Sequence, residues 1–574
     1  MSVPGPEVTS VLIVFLVPLA ASLGPLVSKS FLPSGSETGR ASRLISAACL
    51  LLGLLAPAAA LVRLYPVVAA GGSADFSLGL PSPLAIRYLM DGPAWLACAL
   101  ITIVSLSAGL YGLAAGGYSP TFWFFFLVAQ SSLYACVLTA DLFNLFVSLE
   151  LLALCSYVLI AYKRTPASLW ASYSYLVTST VAVVFYLLGL YFVYGYTGTL
   201  SIAEAAASVR ALGQVPPRDL RAAMGFLSVA LGVRSAYAPF HAWLPEAHAS
   251  APHPVSALLS GATLAAGYFA LGRVGSLADV PALREGLVLA GALTALAGGF
   301  FAIAQTDAKR LLAWSSVGHA GLCLAAFASG SFSTGALHAL AHGSAKALLF
   351  LSVGRAADAS ESRDLGRLRG KAGLGPSLGI LIGIASLAGL PPLAGWATKS
   401  LAGYSSGGGT MGGILSAASI LSAAAVFRLL PVLGIFRSPP GRDAIDAGSA
   451  GEPGSNTRDS AAGGPGRIRE AAVFFLGMFP LAVLCAAGGL PGFLIAASDL
   501  ASPGAPPLVI PVFGPPVLLK ALPTLGSAAA LAAAAGTRPF RSILRVWERK
   551  GTGADTALRL LLAGAAASAL LGLL

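Results

Sequence analysis

Apolar residues run through this chain in long uninterrupted blocks, not in alternating or single-face patterns. The blocks are roughly 20 residues long and separated by short polar breaks, so each could cross a hydrocarbon layer of about 30 Å as a helix. They fall near residues 8–28, 44–65, 93–114, 121–140, 142–162, 169–195, 223–243, 254–274, 284–304, 311–329, 334–354, 374–402, 411–436, 470–496, 515–536 and 555–574. A membrane β-barrel would instead show alternating strands of about 10 residues, and that alternation is missing from the sequence. The pattern predicts an all-α polytopic membrane protein with a core of about 14 transmembrane helices. The number rises to 16 if the last two blocks, which are short or proline-broken, also span.

Two blocks are interrupted. One reads "LGVRSAYAPFHAWLPEAHASAPHPVSALL" and contains Pro239, Pro245, Pro252 and Pro254; the other reads "LAGLPPLAGWATKSL" and contains Pro391 and Pro392. Proline lacks a backbone donor and breaks the helical ladder. In a bilayer such a break is tolerated only where protein or a water-filled cavity satisfies the backbone. Interrupted spans at matching places mark inverted-repeat transporters. Here they lie five spans apart, and an odd offset inverts topology. The expected organisation is N-terminal helices over 1–115, a first inverted repeat over 116–275 (spans 4–8) and a second over 283–436 (spans 9–13). A flexible connector rich in Gly, Ser, Asp and Arg follows over 437–469, then further transmembrane helices over 470–574.

Composition sharpens this picture. Of 574 residues, 56% are hydrophobic and 10% charged, with a mean hydropathy of +0.81. Soluble domains carry about 25% charged residues, so this chain could not cover a soluble surface. The net charge of +12 would elsewhere suggest nucleic acid. Here the cations sit in loops after alternate spans, from Arg40 and Arg43 through Lys163, Arg164, Lys309 and Arg310 to Arg355, Arg363, Arg367 and later groups. The other side is poorer, with Arg63, Arg87, Arg210, Arg218, Arg221, Arg273 and Arg284 as exceptions. The positive-inside rule then puts the N-terminus outside and the basic loops in the cytoplasm, in the cytoplasmic membrane of a prokaryote. Residues 1–9 contain no Lys or Arg, so a cleavable signal is not expected. The six cysteines are scattered and form no CxxC, which argues for small buried hydrophobes over clusters, zinc or disulfides.

A few polar residues fall inside the apolar blocks. A charge at mid-bilayer costs at least about 2.5–3.5 kcal/mol, so it is rarely placed there without a use. Glu150, in "DLFNLFVSLELLALCSYVLIAY", is one such residue. Burial and a nearby cation push a carboxylate's proton affinity in opposite directions, so a Glu between the two can exchange a proton; a structural interhelical hydrogen bond is the alternative. Arg234, just before Pro239, is its natural electrostatic partner. Arg keeps its charge and tunes a neighbour without relaying a proton; otherwise it would snorkel from a helix end. His338, His342 and Lys346 recur every four residues and share one helical face. HxxxH is also a zinc spacing, but HExxH is absent and no acidic third ligand is near, so a proton-passing stripe is preferred to a metal site. His319 could join that stripe from the preceding span. Lys399 follows the second break and reads as a proton carrier or a snorkelling end residue. His241, His248 and His253, beside the first break, read as interfacial or helix-end residues sooner than as relay members.

Taken together, the stretches "DLFNLFVSLELLALCSYVLIAY", "PFHAWLPEAHASAPHPVSALLSG", "QTDAKRLLAWSSVGHAG", "HALAHGSAKALLFLSVG" and "GLPPLAGWATKSL" resemble the antiporter-like membrane subunits of respiratory complex I, membrane-bound hydrogenases and Mrp-type sodium/proton antiporters. The match covers roughly residues 90–430 in family order. The resemblance implies two inverted five-helix repeats with a broken helix in each. It also implies a half-channel for protons in each repeat, joined by a central polar axis. Glu150 matches the family's Glu on the fifth span, and Arg234 occupies the place of the usual Lys on the broken seventh. Ala265 stands where a further Lys is common in the eighth. His338, His342 and Lys346 match the basic face of the eleventh span, and Lys399 matches the Lys or Glu after the twelfth-span break.

The implied function is proton translocation in a redox-driven pump resembling NADH:quinone oxidoreductase or hydrogenase. No flavin, nicotinamide or cluster motif is found in the chain, so no cofactor or metal is expected and redox chemistry would belong to partner subunits. Partners would be other membrane and peripheral subunits, lipid, protons and in one version Na⁺, with no nucleic acid. The alternative is a component of a multi-subunit Mrp-type Na⁺/H⁺ antiporter. A second alternative is a structural subunit whose input channel has degenerated at Arg234 and Ala265.

Overall fold

The computed structural model describes residues 5–31, 36–78, 85–211, 213, 216–405, 409–433, 472–502 and 515–535. The expected connector over 437–469 and the last apolar block, 555–574, lie outside the described residues. The chain is mostly helical. Among the described residues eleven helices are long and apolar enough to cross a bilayer, or twelve if one bent pair counts as a single span. The two interrupted segments, 218–250 and 374–405, are not among those eleven.

The first spans are α1 (Pro6–Phe31), α2 (Ser36–Ala69), α3 (Gly92–Ala115), α4 (Pro120–Leu138), α5 (Leu142–Ile160) and α6 (Pro166–Thr197). Their starts follow local chemistry. Side chains of Asp91, Ser119, Asp141 and Thr165 each accept a backbone N–H of the first turn, which the helix itself cannot satisfy. Between α2 and α3 the chain makes a short antiparallel hairpin, β1 (Ala74–Leu78) and β2 (Ile86–Met90), with Ala74 opposite Met90. The apolar pattern does not show this hairpin. It is held by the Arg87–Asp75 ion pair and by Tyr88, stacked between Phe15 at 4.8 Å and Phe76 at 5.3 Å.

A short helix, α7 (Ile202–Ala211), precedes the first interrupted segment. That segment comprises α8 (Arg218–Ser235), a non-helical stretch, and α9 (Leu244–Ser250). The predicted span 223–243 therefore ends as a helix at Ser235. Next comes one bent span, α10 (His253–Leu258), a π-helical turn over Leu259–Thr263, and α11 (Leu264–Gly275). Then follow α12 (Pro281–Ala304), α13 (Ala308–Ala328), α14 (Phe332–Ser360), α15 (Leu374–Ala388), α16 (Ala394–Ser405) and α17 (Gly409–Phe427). The non-helical stretch between α15 and α16 is the second break. α12 and α13 pack backbone to backbone through small residues, the usual means of close approach in a membrane; a Cβ on Gly291 would lie 2.7 Å from the Gly321 carbonyl oxygen.

The predicted single span 470–496 is different in the structure. A π-helical turn (Val473–Met478) and α18 (Phe479–Ala487) form one arm, and α19 (Pro491–Ala501) turns away from it by 91°. The cause lies in "GGLP" over 488–491. Two glycines are poor helix formers, and Pro491 lacks the donor that would continue the ladder. The bend presses Gly489 against the Pro392–Ala394 backbone of the second break, where a side chain would not fit. α20 (Pro515–Ala535) closes the described chain.

Candidate functional site

Both breaks satisfy their own backbone. In the first, the Trp243 indole N–H donates to the Val233 carbonyl at 2.9 Å, and the Tyr268 hydroxyl donates to the Ser235 carbonyl at 2.5 Å. The Ala238 N–H donates to Thr294 Oγ1 at 3.0 Å, and the Tyr237 hydroxyl donates to the Ser228 carbonyl at 2.8 Å. In the second, Gly389 adopts a left-handed φ of 86° that ends α15, and Lys399 Nζ donates to the Leu387 carbonyl at 2.5 Å. The carbonyls of Val233 and Ser235 at the end of α8, and of Leu387 near the end of α15, thus receive side-chain donors, in keeping with breaks at membrane depth.

Glu150 sits midway along α5 and forms an ion pair with Arg234, the penultimate residue of α8. Arg234 Nη1 also reaches the Tyr175 hydroxyl at 3.5 Å, and Tyr175 stacks on Trp243 with ring centroids 3.9 Å apart. The pair is lopsided in burial: the Arg234 side chain is 5% exposed and the Glu150 side chain 35%. Phe146, Leu149, Tyr186 and Ala230 surround it and leave a cavity of only about 10 Å³, room for about one water.

The other predicted residues meet around α14. His338, His342 and Lys346 lie on one face and are buried, as is His319 on α13. His319 Nδ1 is 3.3 Å from His338 Nε2, and its ring stacks on that of His342 at 5.0 Å. His338 Nδ1 is 3.1 Å from Thr398 Oγ1, which carries the row onto α16 beside partly buried Lys399. Ser422 Oγ, on α17, is 2.9 Å from His319 Nε2. Lys346 is fully buried and donates to the Leu312 carbonyl at 2.9 Å. His342 Nε2 has no partner among the described residues. Buried polar atoms of this kind are normally met by ordered water.

Several residues in this row were not singled out from sequence. Ser316 Oγ donates to the same Leu312 carbonyl at 3.0 Å and lies 2.9 Å from Ser260 Oγ in the π-helical turn. Thr263 and Ser235 present buried hydroxyls with no partner among the described residues. A Cβ on Gly267 would lie 2.9 Å from Ser235 Oγ, so α11 rests directly on the end of α8. Hydroxyls therefore populate the region between Arg234 and Lys346, where Ala265 supplies no polar group. Serine and threonine are common in membrane helices, so composition could not have marked these ones.

Lys309 is a further residue whose place the sequence did not reveal. It reads as a loop cation in sequence, yet it is buried and donates from Nζ to the Ala251 carbonyl at 2.6 Å. Its position follows from Asp307, which caps α13 by accepting from the Lys309 and Arg310 N–H groups and so starts the helix there. His241, His248 and His253 are all buried. His253 Nε2 lies 3.0 Å from Asp358 Oδ1 at the basic-loop end, and His248 stacks on Phe350 at 5.2 Å with neither ring nitrogen partnered among the described residues. Among the described residues no group of three or more His, Cys, Asp or Glu could hold a metal ion.

Residues 139–427, which contain every polar residue of this row, match the family model described as the transmembrane region of NADH:quinone oxidoreductase and Mrp antiporters. The chain belongs to that family. Subunit 14 of NADH-quinone oxidoreductase from Thermus thermophilus is 32% identical over 400 residues, covering 69% of this chain and 88% of that relative. A probable K⁺/H⁺ antiporter component from Rhizobium meliloti is 33% identical over 400 residues, covering 67% of this chain and 39% of that protein. A chain of the membrane-bound sulfane sulfur reductase, an archaeal respiratory membrane complex, superposes with a TM-score of 0.70. That likeness is at 22% identity and covers 91% of this chain and 99% of the other. The family's multi-pass membrane character agrees with the apolar helices described above.

Proposed function

We propose that this protein is the proton-translocating, antiporter-like membrane subunit of a redox-driven ion pump, and that its protons travel along the buried row from Lys346 through His342, His319 and His338 toward Thr398 and Lys399. The observation that carries this is the fully buried Lys346 and, inside a membrane-spanning bundle, three buried imidazoles of which His319 touches both His338 and His342. Basic groups at this depth are costly and are retained for ion or proton passage. Imidazoles take up and release protons near neutrality through either ring nitrogen.

Residues 116–275 and 283–436 act in this reading as two inverted halves, with Pro239 and Pro245 in one break and Pro391 and Pro392 in the other. Glu150 and Arg234 belong to the first half. Arg234 holds Glu150 as a fixed counter-charge and does not itself relay. Waters bound by Ser260, Ser316, Thr263 and Ser235 bridge the halves in place of a basic group at Ala265. The N-terminus lies outside a prokaryotic cytoplasmic membrane, with the basic loops inside. The partners are other subunits of a multi-subunit membrane complex, in keeping with the complexes that the related chains come from.

The likeness to the K⁺/H⁺ antiporter component favours a second reading, in which the same row serves cation/proton exchange in an Mrp-type assembly. One experiment separates the two. The intact complex is purified from its native membrane, its subunits are identified, and proton and sodium fluxes are measured in vesicles. Redox-coupled proton uptake without a sodium requirement supports the pump. Sodium- or potassium-dependent proton release without an electron donor supports exchange, and no flux in either assay refutes both.

A further inference from the structure

At the end of the bundle opposite the basic loops there is a cavity of about 430 Å³ that the proton row does not use. It opens where α8 begins, α11 ends, α12 begins, and α13 passes to α14, so it lies on the seam between residues 116–275 and 283–436. Its floor is mostly apolar, made by Met224, Leu271, Leu287, Phe327 and Phe332 with Ser228 beside them. Its rim holds Arg284 in the first turn of α12 and Asp279 just before that helix, 3.7 Å apart with side chains 49% and 70% exposed.

We propose that this cavity binds one zwitterionic phospholipid, with its phosphate on Arg284 and the N-terminus of α12, its ammonium on Asp279, and an acyl chain on the apolar floor. The volume falls within the range of about 300–1,000 Å³ that ligand sites occupy, and the lining has their usual character, apolar with a few placed polar groups. The rim stands where spans end, which is the level of headgroups, and the floor stands deeper, at the level of chains. An exposed ion pair is worth little by itself, so both members are open to a ligand carrying both charges. A phosphate also suits the unsatisfied N–H groups that open α12. The bilayer supplies such an amphiphile at high concentration. Seated there, it would fill the seam between the two halves.

The test uses the full-length chain, solubilised and exchanged into detergent, then mixed with phosphatidylethanolamine, phosphatidylglycerol or inorganic phosphate and examined by native mass spectrometry. The expected result is one retained phosphatidylethanolamine per chain, at least tenfold stronger retention than of phosphatidylglycerol, and no displacement by millimolar phosphate. Arg284→Glu and Asp279→Asn, both at exposed positions, should each lower retention at least tenfold with helix content unchanged by circular dichroism. Leu287→Trp, which fills the floor, should do the same with the rim intact. Equal retention of both lipids, displacement by free phosphate, or undiminished retention in the folded rim variants would overturn the proposal.

Discussion

Replacing Lys346 by methionine separates transport from folding, and its cost can be worked out from the contacts of that one side chain. Lys346 is fully buried and makes one hydrogen bond, to the Leu312 carbonyl. A hydrogen bond to a charged donor contributes about 1.5–3 kcal/mol. Losing it does not orphan the carbonyl, because Ser316 Oγ still donates to it at 3.0 Å. Against that loss stands the desolvation of a buried ammonium, several kcal/mol even after relaxation. Methionine fills nearly the same volume with a flexible apolar chain. The two effects nearly cancel, so stability should stay within about 2 kcal/mol of the parent. Lys346→Ala, by contrast, leaves a cavity and should cost about 2–4 kcal/mol. Transport should respond in the opposite order of subtlety. Removing a positioned proton carrier costs about 10²-fold or more in rate, and both variants lose it. The assay is proton uptake into vesicles carrying the reconstituted complex, read with a pH-sensitive dye, alongside thermal unfolding of the same preparation. A methionine variant that pumps within twofold of the parent would sink the assignment of Lys346 to the proton row.

Glu150→Gln removes the counter-charge of an Arg234 side chain only 5% exposed and should destabilise the chain by about 2–4 kcal/mol while abolishing proton movement; unchanged pumping with normal assembly would instead favour the structural-subunit reading. Gly267→Ala places a methyl 2.9 Å from Ser235 Oγ and 3.1 Å from the Arg234 backbone, so α11 must shift away from α8. Thermal unfolding should show a loss of about 1–3 kcal/mol, and an unshifted transition would contradict this packing. Asp307→Ala removes the cap accepted by two first-turn N–H groups and the 3.1 Å pair with Arg363. It should cost about 1–2 kcal/mol in chemical unfolding, with a neutral result counting against the helix start that buries Lys309.

Much of the architecture was legible as a row of apolar blocks because a membrane-spanning helix must be apolar along nearly its whole length. The interrupted segments were equally visible, since Pro239 and Pro391–Pro392 fall within apolar blocks and each removes a backbone donor from the helical ladder. The four-residue spacing of His338, His342 and Lys346 places them on one face by helix geometry alone. The bend at Gly488–Pro491 was harder to see. Its residues look like a mild interruption of one apolar run, and the turn of 91° shows itself only with the second break lying alongside. The hairpin strands at 74–78 and 86–90 are too short to stand out among twenty-residue blocks.

That this chain crosses a membrane many times, and carries charges where lipid would not tolerate them, follows from the order of its residues alone. That order also marked the candidate residues, because an ionisable side chain in an apolar block is conspicuous without any structure. Which of them touch depends on how the helices pack. Glu150 and Arg234 are 84 residues apart, and His319 joins Ser422 across 103. The packing also decided that Lys309 belongs inside and that the Ser260 and Ser316 hydroxyls meet across 56 residues of chain. The reason is physical. Burial along a helix is a one-dimensional property set by each residue's own transfer free energy. Contact between helices depends on how glycines, caps and breaks set their rotation and depth, and no single stretch of chain contains that information.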